Sequence, residues 1–258
     1  MADAALPVLM YHGLHVGPRS RGVFDAVYSV DPLDFARQLD WLVQHGYRTR
    51  LLRDLDLAGP DARCIVITFD DGDVSNREIA LPLLLARGMA AEFFVTAAFV
   101  GQPGRLTPED VRALAEAGMG VQSHGLTHAF LADLGNAELE FELRESKRRL
   151  EALTRRPVRA LALPGGRGAT RERAAALRYG YRNVLNSVPG CNRAGVYGRC
   201  LQRIAVTRGM DLKQFARLVQ WRGLLPRARQ LRYHALAWMK RALGNRRYEV
   251  MRKRALER

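Results

Sequence analysis

The chain has 258 residues, 48% of them hydrophobic and 26% charged, enough to bury one large α/β core or two small ones. That balance excludes a disordered or fibrous chain, and no stretch reaches the roughly 20 apolar residues of a membrane-spanning helix. Cys64, Cys191 and Cys200 are too few and too far apart for a disulfide framework and form no C-x-x-C zinc pattern, so they read as reduced thiols.

The first residues carry neither a basic n-region nor an apolar h-region, so the expectation is a cytoplasmic protein. The formal charge of +15 is concentrated late: residues 222–258 hold 12 Lys and Arg against Glu249 and Glu257.

In chain order, Val8 to Tyr11 is a short apolar run ending at His12-Gly13, a buried strand with a polar residue at its carboxyl end. Asp31 and Pro32 open a helix over 31–44, stopped by Gly46. Residues 64–69, Cys-Ile-Val-Ile-Thr-Phe, form the most strand-like segment, continuous and bounded by Asp70-Asp71-Gly72. A helix over 75–87 and a strand over 91–96 follow. Thr107-Pro108-Glu109-Asp110 starts the next helix with a capping box, ahead of a strand over 120–123. A longer helix over 137–154 is expected to carry Glu140–Arg144 and Glu145–Arg149 pairs. Strands over 158–163, 181–187 and 201–206 and helices over 170–178 and 211–221 complete the alternation, which implies parallel strands closed as a barrel or wound as an open sheet. Residues 1–221 read as one domain and 222–258 as a basic amphipathic helical tail.

In either architecture functional groups collect at the carboxyl ends of the strands. His12, Asp70, Asp71, His124 and Pro164-Gly165-Gly166 all fall there. Asp-Gly after a strand is ordinary turn chemistry by itself. His124-Gly125-Leu126-Thr127-His128 is more specific, because two imidazoles four apart project the same way on a helical turn and can chelate one cation. A carboxylate with two imidazoles and open positions is suited to polarising a carbonyl and activating water.

Thr68-Phe69-Asp70-Asp71-Gly72 followed by His124-x-x-Thr127-His128 resembles the first two motifs of the polysaccharide deacetylases with NodB homology, also called carbohydrate esterase family four. Leu9-Met10-Tyr11-His12 is similar to that family's opening strand, Glu92 to Val95 to its third, and Leu163-Pro164-Gly165-Gly166 sits at its third motif. The resemblance covers roughly residues 6–215 and implies a deformed (β/α)7 barrel, a divalent metal such as zinc, and hydrolysis of an acetamido group, with Asp71, His124 and His128 as metal ligands and Asp70 as general base.

Two positions depart from the pattern. The Arg that orients the base in the family falls here at Ala162, and Arg167 is the candidate to replace it. The late Leu-x-x-His that carries the general acid belongs near residues 204–208, where no His occurs, and His12 is the leading substitute. His15 reads as a surface loop residue. Tyr11 and the Pro164, Gly165 and Gly166 loop are candidate substrate contacts; Tyr11, Trp41 and Tyr197 are aromatic groups that either stack on a sugar or belong to the core.

The implied substrate is an acylated amino sugar in a polysaccharide or lipid-linked glycan, as in exopolysaccharide biosynthesis. The alternatives are a deformylase or deacetylase of a small amino-sugar precursor and a catalytically weak carbohydrate-binding homologue. The basic tail, with its aromatic and aliphatic interleaving, fits either a helix packed on the barrel or peripheral attachment to the inner face of a membrane. No nucleic-acid recognition motif accompanies the charge, so no specific nucleic acid is expected.

Overall fold

The computed structural model describes residues 5–55, 63–168, 170–193 and 200–243. Strands β1 (Ala5–Leu6) and β2 (Val8–Tyr11) are followed by α1 (Pro32–Gln44), β3 (Arg48–Thr49), β4 (Cys64–Asp71), α2 (Leu81–Leu85), β5 (Glu92–Val95), α3 (Pro108–Glu116), β6 (Gly120–Ser123) and α4 (Asn136–Thr154). Next come β7 (Ala160–Ala162), α5 (Thr170–Arg178), β8 (Asn183–Leu185), β9 (Asn192–Arg193), β10 (Cys200–Leu201), β11 (Ile204–Ala205), α6 (Leu212–Val219) and α7 (Leu224–Leu243).

The main sheet runs β10-β8-β7-β6-β5-β4-β2-β11, with β3 added on β4. Its pairs are parallel. The two ends of this order, β10 and β11, are separated in the chain by Gln202 and Arg203 alone. A sheet whose opposite edges are successive pieces of one segment has to curl until those edges nearly meet. The expected strand over 201–206 is therefore broken in two, one half pairing with β8 and the other with β2. With that split segment taken as one strand, the barrel has the seven staves β2, β4, β5, β6, β7, β8 and β10/β11. The small antiparallel pair β1/β9 lies outside this sheet.

Strand alternation sorts the side chains into two layers. Ile65, Ile67 and Phe69 of β4 face the helices together with Leu9, Tyr11, Phe93, Val121 and Leu161, forming the larger core. Val66 and Cys64 point the other way, into a smaller interior cluster with Val8, Phe94, Ala160, Ala162, Leu185 and Leu201. This parity decides which residues at the strand ends reach the mouth of the barrel.

Helix starts follow local chemistry. Asp31 caps α1 through its bond from Leu33 N, with Pro32 at the first position, and Thr107 and Asp110 form the reciprocal capping box of α3. The expected helix over 75–87 is instead a π turn over Asn76–Ala80 leading into the short α2. On α4, Glu145 pairs with Arg148 and Arg149, but Glu140 reaches across to Arg178 at the end of α5 and to Tyr179 just after it instead of Arg144. The start of α7 rests on the barrel: Leu225 packs against the larger core and Arg229 Nη1 donates to the Ala205 carbonyl at 2.9 Å. The expected tail beyond residue 243 lies outside the described residues, as does Tyr197.

Candidate active site

Thr68 and Asp70 continue the inward row of β4, so the Asp70 carboxylate enters the barrel mouth, 2% exposed. Asp71, next along, belongs by parity to the outer face. Its φ of 75° breaks the alternation and brings its carboxylate round to the same mouth, and Gly72 follows with φ 76°. A non-glycine residue held in the left-handed region is a local cost that a site can impose on its backbone. As a result His124 Nε2 lies 3.3 Å from Asp71 Oδ1 and 4.0 Å from Asp70 Oδ2.

His124 and His128 do converge, but not on a helical turn. The segment after β6 is a loop in which Gly125 (φ 80°) and His128 (φ 65°) take left-handed conformations, and it puts the two rings 5.0 Å apart. His128 Nε2 also lies 3.3 Å from Asp71 Oδ1. His124 Nδ1 is 2.9 Å from the Ala162 carbonyl. A carbonyl only accepts, so Nδ1 carries a proton, and in the neutral ring Nε2 turns its lone pair toward Asp71. Asp71 Oδ1 is buried and makes no hydrogen bond among the described residues. An orphaned carboxylate oxygen facing an imidazole lone pair calls for a positive centre between them, and the candidate ligand atoms of Asp71, His124 and His128 lie within 4.8 Å of one another. This donor set fits a divalent cation. Without one, burial opposes ionisation of Asp71, but the two imidazoles 3.3 Å away hold its pKa far below the usual carboxylate range.

The group that orients Asp70 is Arg203, a residue absent from the sequence-based candidates. It sits in the two-residue gap between β10 and β11, is 1% exposed, and grips Asp70 with both arms: Nη1 to Oδ1 at 2.7 Å and Nη2 to Oδ2 at 2.8 Å. Its Nε donates to the Asn186 carbonyl at 2.8 Å, and Nη1 also reaches Thr68 Oγ1 at 3.3 Å. Such a fork matches a carboxylate in plane and in spacing. Burial pushes the Asp70 pKa up, but Arg203 and His124 overcome it and leave the carboxylate below its ordinary value.

This corrects the expectation for Arg167, whose guanidinium stacks over the Phe130 ring at 4.0 Å while the fork on Asp70 belongs to Arg203. Tyr11 is also corrected. It is fully buried on the helix-facing side, stacked on Phe69 and donating its hydroxyl to Gln38, because parity sends it outward between the inward positions 10 and 12. Trp41 lies at the core edge against His45, Tyr47 and Phe215.

His12 lies near these groups. Its ring stacks on Tyr28 at 4.5 Å, its Nδ1 is buried without a hydrogen bond among the described residues, and it lies within the electrostatic reach of Asp70, Asp71 and Arg203. Burial lowers its pKa more than the two carboxylates raise it, so the resting imidazole is neutral. Pro164, Gly165 and Gly166 form the turn after β7, beside the His124 loop; Gly165 and Gly166 both have positive φ, and a Cβ on Gly166 would meet the Ser187 side chain at 2.3 Å.

His15 is no surface residue. It is fully buried, with Nδ1 2.8 Å from Ser29 Oγ and Nε2 3.2 Å from Asp73, and Asp73 also accepts from Val23 N at 2.7 Å. Together these bonds fasten the long loop between β2 and α1 to the segment that follows Asp71.

A curled parallel sheet of seven staves with its polar groups gathered at the strand ends is a deformed (β/α)7 barrel of the carbohydrate deacetylase type. The polysaccharide deacetylase family model matches residues 58–184, just under half of the chain. It is similar to YxkH of Bacillus subtilis (strain 168), which bears the same family's name: 29% identical over 224 residues, 84% of this chain and 77% of that protein. Among solved structures it resembles BC0361, a polysaccharide deacetylase from Bacillus cereus, with 26% identity, a TM-score of 0.76, and coverage of 84% of this chain and 69% of that one. IcaB from Ammonifex degensii, 23% identical, shares the fold with a TM-score of 0.72 over 86% of this chain and 97% of its own.

Proposed function

We propose that the protein is a metal-dependent N-deacetylase acting on an acylated amino-sugar glycan. The observation that carries this reading is the orphaned Asp71 Oδ1, 3.3 Å from both His124 Nε2 and His128 Nε2 and beside the Arg203-held Asp70. A divalent cation such as zinc, held by Asp71, His124 and His128, would supply Lewis-acid polarisation of the acyl oxygen and of water.

The remaining work falls to the chain's own groups. Asp70 is the base: each carboxylate oxygen has two lone-pair directions, so Oδ2 keeps its bond from Arg203 and still has one free to take a proton from the attacking water. Arg203 fixes the plane of that carboxylate and keeps it ionised. His12 is the group we assign to the leaving nitrogen. It rests neutral, so the proton that Asp70 takes from water would pass on to His12, which then gives it to the leaving nitrogen and leaves Asp70 ionised again; its stacking on Tyr28 holds the ring in place for that transfer. The turn of Pro164, Gly165 and Gly166 borders the cleft where the sugar would lie.

The test is acetate release from N-acetylated glucosamine oligosaccharides by protein stripped of metal and titrated with zinc. Activity should appear with the metal and vanish on chelation. Release that survives complete chelation would overturn metal dependence, and retained turnover in Asp70→Asn would overturn the base assignment.

The outward face of α7 supports a second proposal about where the glycan resides. Leu224 and Leu231 are 80% and 73% exposed, and Arg227 and Arg232 are exposed beside them. Apolar groups flanked by arginines suit peripheral attachment to an anionic membrane surface, such as the cytoplasmic face, and hence a lipid-linked glycan. Among the described residues no helix is long and apolar enough to cross a membrane. Sedimentation with anionic vesicles should fall in Leu231→Glu; equal sedimentation of the two proteins would discard this proposal.

A further inference from the structure

The loop that carries His128 is held from behind by a carboxylate outside the ligand cluster. Glu142 lies in the middle of α4, on the buried stripe with Leu139, Leu143, Ser146 and Leu150, and is 6% exposed. A carboxylate buried at mid-helix has no helix end to cap and requires partners elsewhere. Each hydrogen bond the structure assigns to its side chain comes from the segment between the two histidines. Oε2 accepts from Leu126 N at 2.7 Å and Thr127 N at 3.1 Å, and the Thr127 hydroxyl donates to Oε1.

One turn further along α4, Ser146 Oγ bonds Ser123 Oγ at 2.9 Å, and Ser123 Oγ accepts from Gly125 N at 3.1 Å. The i, i+4 pair Glu142 and Ser146 therefore grips both ends of the turn that aims the two imidazoles. The front of the turn is tied to the chain after β5, where Ala97 N and Ala98 N donate to the Gly125 and Leu126 carbonyls. Behind it, a groove of about 420 Å³ lined by Thr127, Leu134, Phe141 and Glu142 runs beside the anchor. Leu126 is packed in the larger core, whereas Thr127 borders this groove and is held there by its backbone and hydroxyl bonds to Glu142. His128, with φ 65°, is the next residue and the more exposed imidazole.

We propose that Glu142 is a positioning residue for the metal centre: by fixing Leu126 and Thr127 it sets the aim of the His128 imidazole and so the affinity of the site for a divalent cation. The proposal rests on the metal reading above. Outer groups that orient ligands typically contribute about 10–100-fold to metal affinity.

The test is calorimetric titration of the metal-free protein with Co²⁺ and Zn²⁺, comparing wild type, Glu142→Gln and Glu142→Ala, with the visible absorption of the Co²⁺ form as a second readout. Glu142→Ala should bind at least about 10-fold more weakly. Glu142→Gln retains one carbonyl acceptor for the two backbone amides and should lie between, with an altered Co²⁺ spectrum. If Glu142→Ala does not fold, Glu142→Gln and Thr127→Val carry the same comparison. Variants that melt lower but bind Co²⁺ with wild-type affinity and spectrum would overturn the positioning role and leave the metal reading intact. Absence of binding to the wild type would overturn both.

Discussion

Replacing Arg203 by Met keeps the length of the side chain and removes its charge and its donors. Asp70 then sits 2% exposed without the fork that now engages both oxygens, and the Asn186 carbonyl and Thr68 hydroxyl lose a donor. Breaking a buried pair by deleting one partner costs about 3–5 kcal/mol, because the remaining charge stays desolvated. For a chain of this size that amounts to a fall in melting temperature of roughly 6–20 °C.

The pH dependence sharpens the test. In the wild type the folded Asp70 pKa lies below its ordinary value, so its contribution is fully present above about pH 4 and is lost as pH falls through the folded pKa. In Arg203→Met burial acts against less opposition and the pKa rises; the folded state then binds the proton at least as well as the unfolded one. The deficit of the variant should therefore widen from pH 4 to pH 7. Thermal melts of metal-free protein across that range measure it. Adding Asp70→Asn to Arg203→Met removes the stranded charge and should recover stability relative to Arg203→Met alone. A deficit that does not change with pH, or a double variant no more stable than the single one, would refute the reasoning.

Asp71→Asn should keep the fold and lose most of the bound metal and turnover, as read by metal analysis after dialysis; full metal content would contradict the ligand assignment. His15→Ala removes one of the ties between the β2–α1 loop and Asp73, leaving that from Val23 N, at a cost of about 1–3 kcal/mol, and trypsin should cut faster at Arg19 and Arg21. Glu92 is buried at the opposite end of the barrel interior, accepting from Leu52 N and Gln122, and burial raises its pKa. Its contribution to stability is present below the ordinary Glu value and lost as pH rises through the folded pKa, so Glu92→Gln should flatten the decline in melting temperature above about pH 4.5; an unchanged slope would assign that decline to other groups.

The fold could be read from the chain because its signals are local: β-branched runs bounded by turn residues, capping chemistry at Asp31 and Thr107, and apolar faces of the right period. The pairing of His124 with His128 was visible for the same reason, since spacing along the chain stands for proximity when both residues follow one strand; Asp71, on β4, was a candidate ligand only through the family resemblance. Side-chain parity was less accessible. Tyr11 faces outward and His12 inward because of the alternation of β2, but the register of a four-residue strand is hard to fix without its neighbours. The burial of His15 follows from a loop folding back over Asp73, which no local pattern records. Arg203 was missed because its place is topological: it lies where the sheet closes on itself, and only the pairing of β10 with β8 and β11 with β2 brings that gap to Asp70.

That placement also explains how Ala162 can occupy a position where the family resemblance led us to expect an orienting arginine. What Asp70 requires is a guanidinium in the plane of its carboxylate inside the barrel, and an inward position that reaches across the interior at the right height can supply one. At Ala162 a small side chain leaves the interior free, while its backbone carbonyl fixes the tautomer of His124, a task for which side-chain identity is irrelevant. Across the seam, the break between β10 and β11 releases Arg203 from strand alternation and lets its full length lie along the barrel interior, with its Nε secured by Asn186 O at the end of β8. Arg203 thus supplies to Asp70 the role that the resemblance assigns to position 162. The same reasoning predicts that Ala162→Arg cannot simply restore the family arrangement in this chain: Arg203 already bonds both Asp70 oxygens, the direction left free on Oδ2 is the one needed for the proton, and a second buried guanidinium facing Arg203 would add a desolvated like charge. That variant should be destabilised, and it should regain stability when Arg203→Met removes the competing charge; additive losses in the double variant would show that the two positions are not alternatives for one role.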